Sequence, residues 1–362
     1  MLLGQEGVSK SSMKISSVEC GRGVAALLVV LVHAGSFTAW PKFYGERPLW
    51  GLFDWCHAGV DFFFVLSGFI IAYVHWRDVD TPAAVTTYAW RRISRIYPPY
   101  WGIMLLVIPM YILSPTVTRY EQDPTLMVLS WFLLTPGFQS VYAISWSLVH
   151  EMFFYLLFAM LVLSWRLGSW AGGFILVGTL VYQTLGYAGL IKTHFLLDFI
   201  FNFYNFQFFA GFLAALLLMR QRVPRPLVFL AAGAIVFVGT GMVEVYTSLL
   251  NNQDLRKLGY GLGAVLMLIG LVEGERCGVL NVPRLWAKVG STSYSIYLVN
   301  VFALNFIVKG FELAGLKTVF PQTVTYVMFV VLAAGAGIAY GFLIEQPLQR
   351  LTRQVPLRSR TA

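Results

Sequence analysis

Long apolar stretches, separated by short polar ones, run along nearly the whole chain. An α-helix needs about 20 residues to cross a bilayer, and ten stretches approach that length: 22–40, 58–76, 96–114, 144–164, 170–190, 199–219, 227–246, 257–273, 291–309 and 323–344. A further run, Leu126 to Leu134, is too short to cross and predicts an interfacial or re-entrant piece. The pattern predicts an all-α fold, a polytopic bundle of about ten transmembrane helices.

Composition and charge add a topology to this picture. Hydrophobic residues make up 58% of the 362 residues and charged residues 12%, which excludes a soluble globule. Lysine and arginine accumulate on cytoplasmic loops of membrane proteins, so the net charge of +9 does not indicate a nucleic-acid partner. Both termini are predicted to be cytoplasmic in the inner (plasma) membrane, because only eight of the 26 basic residues fall on the opposite side: Lys42, Arg47, Arg119, Lys192, Arg256, Lys257, Lys309 and Lys317.

The chain divides into three predicted parts. Residues 1–21 form an N-terminal cytoplasmic segment, 22–344 the transmembrane domain and 345–362 a basic cytoplasmic tail. The three cysteines, Cys20, Cys56 and Cys277, lie in separate segments without metal-ligand spacing. Neither a disulfide framework nor a metal site is predicted.

The first predicted helix carries an arginine at its start and a histidine deep inside. Arg22 and His33 share one face, about 16 Å apart along the axis, with the small residues Ala25, Ala26 and Val29 between them. An ionisable group inside the hydrocarbon is costly and usually faces a bundle interior or a watery cavity, which favours a functional site. A neutral histidine bonded to a carbonyl group of the next helix explains the pattern equally well.

Two acidic residues are predicted to reach the depth of His33 from other helices. Asp61, near the start of the second helix, can orient or charge-balance an imidazole, although a helix N-terminal acid also interacts favourably with the helix dipole. Ser147, Glu151 and Tyr155 follow one face of the fourth helix at four-residue intervals. The convergence of His33, Asp61 and Glu151 predicts a common site in the outer half of the bundle.

Three arginines, Arg91, Arg92 and Arg95, stand just before an aromatic segment between the second and third helices. Anchoring at the inner membrane interface explains such a cluster. Closely spaced guanidinium groups also suit bidentate capture of phosphates from a cytoplasmic ligand. The residues alone leave both interpretations open.

Six stretches, taken in order, resemble the acyltransferase family 3 membrane proteins, in particular the branch that O-acetylates exopolysaccharides and other glycans. The resemblance covers most of the chain. It rests on Arg22 with His33 after ten intervening residues, Gly59–Phe69, Arg91–Pro98, Ser145–Leu148 with Glu151, Ser293–Leu298, and Glu345–Pro347.

The resemblance implies an enzyme that moves an acyl group, commonly acetyl, from cytoplasmic acyl-CoA (acetyl-CoA) to a hydroxyl of an outer-side glycan or lipid-linked saccharide. His33 is then the essential histidine, with Asp61 and Glu151 as catalytic partners. The donor is bound by the basic residues Arg22, Arg91, Arg92 and Arg95. The acceptor side is assigned to Ser147, Tyr155 and Asn300.

Asn300 stands where the family often has a histidine. An amide does not titrate in the working range, so Asn300 is predicted to orient a substrate or backbone group rather than to carry a proton.

The chemistry of the residues agrees with that implication at two points. An alcohol that attacks a thioester needs a base for its proton, and a neutral histidine suits this task. The phosphates of coenzyme A need cations on the side where it is made. The alternative is a proton-coupled polytopic transporter whose His, Asp and Glu relay protons. It ranks second, because the broken helices and paired half-repeats of such carriers are not evident.

Overall fold

The computed structural model describes residues 15–112, 124–136, 144–192, 194–317 and 319–353. Within these ranges the regular elements are helical. The α-helices are α1 (Ser16–Thr38), α2 (Gly59–His75), α3 (Val85–Ile112), α4 (Pro124–Leu133), α5 (Ser145–Leu163), α6 (Trp165–Tyr187), α7 (Phe195–Ile200), α8 (Tyr204–Arg220), α9 (Pro226–Tyr246), α10 (Gln253–Arg276), α11 (Arg284–Gly290), α12 (Ser293–Leu313), α13 (Gln322–Tyr340) and α14 (Gln346–Arg353).

Eight helical segments of the described chain are long and apolar enough to cross a membrane. One of them joins α7 to α8, and another runs from α13 through a π-helical turn, Gly341–Glu345, into α14. The other two predicted crossings overlap α3 and α6, which have 28 and 23 residues but are not among these eight segments. The predicted polytopic, all-α membrane fold is confirmed.

The first helix begins earlier than the apolar pattern predicts. α1 starts at Ser16, where the Glu275 carboxylate accepts hydrogen bonds from the backbone N–H groups of Ser16 and Ser17 at 2.9 and 2.7 Å. A carboxylate at a helix N-terminus satisfies otherwise unpaired N–H groups and interacts favourably with the helix dipole. The predicted boundary at residue 22 therefore lies inside a helix. Residues 1–14 and 354–362 of the two predicted terminal segments lie outside the described residues.

The short apolar run before the fourth crossing forms α4, a helix of ten residues that is indeed too short to span. Its last carbonyl groups lack helical partners and accept hydrogen bonds from aromatic side chains of α3. The donors are Tyr100 to Trp131 O at 2.7 Å, Trp101 to Phe132 O at 3.0 Å and Tyr97 to Leu133 O at 2.8 Å. α4 is thereby fixed against α3.

Close backbone contact fixes α2 against α8. A Cβ atom added at Gly68 would lie 1.9 Å from the carbonyl oxygen of Phe208, and one added at Gly211 would lie 1.8 Å from that of Val65. Only glycine fits at either position, because no real Cβ approaches a backbone atom so closely. The crossing places the polar start of α2 beside the start of α8.

Tyrosines from two other helices hold α3 where prolines interrupt its hydrogen bonding. Pro98 and Pro99 have no N–H to donate within the helix. The hydroxyl of Tyr294 in α12 donates to Ile96 O at 2.9 Å, and that of Tyr340 in α13 donates to Pro99 O at 2.7 Å. These bonds fix the half of α3 that carries the arginines against α12 and α13.

Candidate active site

A cavity of about 700 Å³, part of it open to solvent, lies among α1, α2, α3, α5 and α12. Its basic lining comes from two helices: Arg22 of α1, and Arg92 and Arg95 of α3. We call it the arginine cavity. Helix α1 therefore contributes its N-terminal arginine to the same space as the basic motif of α3.

The arginines of α3 do not all point the same way. Arg91 is exposed and does not line the arginine cavity, so its predicted place beside Arg92 and Arg95 is wrong. The reason is the helical period, since adjacent residues are about 100° apart while Arg92 and Arg95 are three apart and share a face.

Arg92 is only 6% exposed, and its Nε atom has no hydrogen-bond partner within the described residues. Its guanidinium carbon lies 5.5 Å from the centre of the Tyr155 ring and 5.8 Å from that of Tyr88. Aromatic faces attract the cation but leave its Nε–H without an acceptor within the described residues. A buried guanidinium with an unpaired donor fits an anionic ligand.

The predicted polar stripe on α5 is confirmed, since Ser147, Glu151 and Tyr155 all line the arginine cavity. Oε1 of Glu151 accepts a hydrogen bond from Tyr155 OH at 2.5 Å and a long one from Ser67 Oγ at 3.4 Å. The carboxylate therefore lies among the arginines and offsets part of their charge.

A second cavity, of about 520 Å³ with part of it open to solvent, is lined by His33. His57, Asp61, Trp146 and Tyr204 also line it, and we call it the histidine cavity. Asp61 thus shares a space with His33, as predicted. Glu151 does not line this space, so the predicted convergence of all three groups is wrong for Glu151.

The hydrogen-bond partner of His33 is Asn300, whose Oδ1 lies 2.6 Å from Nδ1 of the imidazole. Asn300 is fully buried, and its Nδ2 donates to the carbonyl groups of Tyr297 at 2.5 Å and Ile296 at 3.3 Å. Two carbonyl acceptors fix the amide with its own oxygen toward His33, because an amide nitrogen only donates. Nδ1 of His33 therefore carries the proton, and Nε2 is left as the basic nitrogen.

Asp61 is hydrogen-bonded elsewhere. Its Oδ1 accepts from Nε2 of Gln207 at 2.6 Å, and the same amide nitrogen donates to Lys257 O at 2.8 Å. The tight crossing of α2 and α8 brings Gln207 to this position. The predicted pairing of His33 with Asp61 or Glu151 is replaced by the neutral amide of Asn300.

Val60 and Tyr297 line both cavities and therefore form the wall between them. The hydroxyl of Tyr297 lies 2.6 Å from Ser147 Oγ, and the two hydroxyls lie 3.2 and 3.0 Å from the carbonyl oxygen of Ile144. Each hydroxyl has one proton, so one of them donates to the other and the second donates to Ile144 O. Sequence reasoning did not assign Tyr297 a role. It lies within the Ser293–Leu298 stretch, and the resemblance of that stretch to the family could have identified it.

Two of the stretches that carry the family resemblance, Ser293–Leu298 and Glu345–Pro347, are in contact. The hydroxyl of Ser295 in α12 donates to Glu345 in the π-helical turn, and Gln349 Nε2 donates to the other oxygen of that carboxylate at 2.9 Å. Glu345 is buried, so it belongs to the bundle rather than to the predicted tail.

The bundle holds a cationic cavity beside a cavity that contains an oriented histidine, an arrangement that fits a membrane enzyme with an anionic substrate. A family model described as an acyltransferase domain matches residues 15–345. The chain therefore belongs to the acyltransferase 3 family, and it is a multi-pass membrane acyltransferase.

The chain is similar to the exopolysaccharide production protein ExoZ of Rhizobium meliloti (strain 1021), with 28% identity over 314 residues that cover 82% of this chain and 90% of that protein. No solved structure matches the chain.

Proposed function

We propose that the protein transfers an acetyl group from acetyl-CoA to a hydroxyl group of a glycan or lipid-linked saccharide. The observation that carries this proposal is the bond between Asn300 and His33, which leaves Nε2 of the imidazole as a base in a cavity next to the arginine cavity. The name of the relative from Rhizobium meliloti supports a polysaccharide as the acceptor.

The donor binds in the arginine cavity. Arg22, Arg92 and Arg95 line it together with the carboxylate of Glu151, and Glu19 pairs with Arg22 at 3.8 Å. Three guanidinium groups beside two carboxylates retain positive charge for phosphate groups. The unpaired Nε–H of Arg92 gives one specific donor for a phosphate oxygen. Arg91 anchors the exposed side of the helix instead.

The acceptor hydroxyl enters the histidine cavity, and Nε2 of His33 takes its proton. The hydroxyl oxygen forms the new bond to the thioester carbonyl carbon as the carbon–sulfur bond breaks. The thiolate leaves with that electron pair and regains a proton through the imidazolium or water, which restores neutral His33. The Oδ1 atom of Asn300 stabilises the imidazolium only as a dipole, because it carries no charge.

The basic residues orient the protein. The excess of lysine and arginine on the side of the termini supports a cytoplasmic position for that side. Because α1 runs away from that side, Arg22 precedes His33 along the path from the cytoplasm. Donor entry from the cytoplasm and acceptor entry from outside follow from this order.

The proposal is tested with purified protein in lipid nanodiscs, acetyl-CoA labelled in the acetyl group, and exopolysaccharide from which esters have been removed by mild alkali. Alkali-labile label in the polysaccharide, with release of one coenzyme A per acetyl group, is expected. Release of coenzyme A without label in any saccharide would show that the acceptor is wrong. Absence of both binding and release would show that the donor is wrong.

Membership in the acyltransferase 3 family favours this function over the proton-coupled transporter. A proton relay along His33, Asp61 and Glu151 would need these groups in one connected path. Glu151 lies with the arginines, and His33 bonds to a non-titrating amide.

A further inference from the structure

We infer that the acceptor site extends beyond the histidine cavity, so that the enzyme binds at least two consecutive sugars of its acceptor, with Trp146 between them. The inference rests on the proposed function and specifies the acceptor as an oligosaccharide or polysaccharide segment rather than a single sugar. It starts from a third cavity, of about 580 Å³ and partly open to solvent, among α3, α4, α5 and α7. We call it the aromatic cavity, because six of its lining residues carry aromatic rings: Tyr100, Trp131, Trp146, His150, Phe195 and Phe199.

Trp146 joins the aromatic cavity to the histidine cavity. It is the second residue of α5, and among the described residues it alone lines both spaces. Its side chain is 38% exposed, so the indole ring is accessible. A chain-like ligand that fills both cavities therefore passes alongside this ring.

Helix α5 keeps the aromatic cavity apart from the donor. Val149 and His150 line the aromatic cavity, whereas Ser147 and Glu151 line the arginine cavity. Adjacent residues of an α-helix lie about 100° apart, so the two cavities use different faces of the same helix. An acceptor in the aromatic cavity can approach His33 without taking the place of the donor.

The histidine cavity has the mixed lining that suits a sugar ring. Trp146 and Tyr204 supply aromatic faces, with ring centroids 5.5 Å apart and planes at 30° to each other. His57 and Asp61 supply polar groups to the same cavity. A pyranose ring has C–H faces that pack on aromatic rings and hydroxyl groups that need hydrogen-bond partners, so it matches both kinds of lining.

His150 gives the aromatic cavity a hydrogen-bond acceptor for a second sugar. Its Nδ1 lies 3.1 Å from Trp146 O, and a carbonyl oxygen only accepts, so Nδ1 carries the proton and Nε2 is an acceptor. His150 is 7% exposed, and within the described residues nothing donates to Nε2. A buried acceptor without a donor is costly, and a sugar hydroxyl would supply the donor.

Both cavities lie at the end of the bundle where the acceptor is proposed to enter. Trp146, near the start of α5, and His33, near the end of α1, line one cavity, so these helix ends lie together. In the proposed orientation this is the outer end, since α1 begins on the cytoplasmic side. A saccharide from outside therefore reaches His33 by way of the two cavities.

The test compares acceptors of different length with one donor. The de-esterified exopolysaccharide is cut by partial acid hydrolysis, and single sugars, disaccharides and fragments of four or more sugars are separated. Transfer of labelled acetyl groups to each is measured with the full-length protein in nanodiscs. One added aromatic contact is worth about 10-fold in affinity, so the wild-type KM should be at least ~10-fold lower for the longer fragments than for single sugars.

Two variants divide the site. Trp146→Ala removes the ring between the two sugars and should raise the KM for every fragment by about 10-fold, and Trp146→Phe should recover part of that loss. His150→Phe keeps an aromatic ring but removes the acceptor nitrogen, so the preference for longer fragments over single sugars should fall by about 2–10-fold. A merely structural role of His150 would lower transfer to all fragments alike and keep that preference.

Trp170→Ala is the matched control. Trp170 is an 81% exposed tryptophan of α6 that lines none of the three cavities. This variant should show the wild-type KM for each fragment.

Equal kcat/KM for single sugars and longer fragments in the wild type would overturn the inference and leave the proposed function intact. A length preference that both Trp146→Ala and His150→Phe leave unchanged would also overturn it. If Trp146→Ala does not fold, His150→Phe decides, because it preserves an aromatic ring at its position. A wild-type protein that transfers acetyl groups to no fragment would contradict the proposed function instead.

Discussion

Asn300 shows how one side chain sets the chemical state of another. A histidine can act as a base only through a nitrogen that is not protonated, and the amide oxygen on Nδ1 selects Nε2 for that task. The amide orientation in turn depends on the two backbone carbonyl groups that its nitrogen faces. Asn300 is bonded to the imidazole and to two backbone carbonyl groups, and its part in orienting a substrate stays a prediction.

Substitution of Asn300 tests this role. Asn300→Ala removes the acceptor for Nδ1–H, so the neutral ring loses its preferred tautomer, and acetyl transfer should fall by about 10–100-fold. Asn300→Asp keeps an acceptor at the same place and should retain more activity than the alanine variant. Initial rates per amount of folded protein, compared by size-exclusion chromatography, give the measurement.

The control for Asn300 lies on the same helix. Asn305 is exposed, and its Nδ2 donates to Val301 O within α12 at 2.8 Å, so Asn305→Ala should transfer acetyl groups at the wild-type rate. If Asn300→Ala is as active as Asn305→Ala, the tautomer argument is wrong.

Helix α3 separates two uses of arginine by helical position alone. Arg92 and Arg95 face the arginine cavity, whereas Arg91 is exposed on another side. We propose that anchoring and phosphate binding, which the sequence left as competing explanations of one cluster, belong to different members of it.

Conservative substitution separates these uses experimentally. Lysine keeps the charge but loses the planar fork that binds phosphate in a bidentate manner. Arg92→Lys and Arg95→Lys should raise the KM for acetyl-CoA by about 10-fold, the loss of one charge-assisted hydrogen bond of about 1.5 kcal/mol. Arg91→Lys is the matched control and should leave KM unchanged. Equal effects at all three positions would contradict the assignment.

Helices α2 and α8 pack so closely that their contact depends on glycine. The Cβ of an alanine at Gly68 would overlap the backbone of Phe208, so the two helices would have to move apart. Overpacking of this kind costs about 1–3 kcal/mol, and Gly68→Ala should lower the thermal unfolding temperature in detergent. Gly335→Ala, where nothing lies within 4 Å of an added Cβ, should not lower it. Equal unfolding temperatures for the two variants would show that α2 and α8 do not pack this closely.

The composition of the whole chain predicted the helix bundle, but it did not predict how the residues of the site are arranged. Apolar length predicted the membrane-spanning helices, because each helix must bury its backbone polar groups within itself. Eight segments of the described chain meet the length and composition of a span, against about ten predicted. Helical spacing also predicted which residues of α5 share a face. Spacing within one helix does not tell which neighbouring helix faces it. Only the packing therefore shows that Glu151 is separated from His33, that Asp61 pairs with Gln207 and that Tyr297 lies between the two cavities.

Orientation in the membrane is a property of the whole chain. The distribution of basic residues predicts that an alkaline phosphatase fused after Arg360 stays inactive, since the enzyme folds only outside the cytoplasm, whereas a fusion after Glu46, between α1 and α2, is active. The opposite result at both fusions would invert the proposed paths of donor and acceptor.

The central claim is that His33 is the general base, and transfer rates of two variants test it most directly. Glutamine retains hydrogen bonding but takes no proton, so His33→Gln and His33→Ala should both lose at least ~100-fold in acetyl transfer while still binding acetyl-CoA. His194→Gln, the same change at an exposed histidine, should remain fully active. A His33→Gln variant that transfers acetyl groups nearly as fast as the wild type, beside an unfolded His33→Ala, would contradict the account.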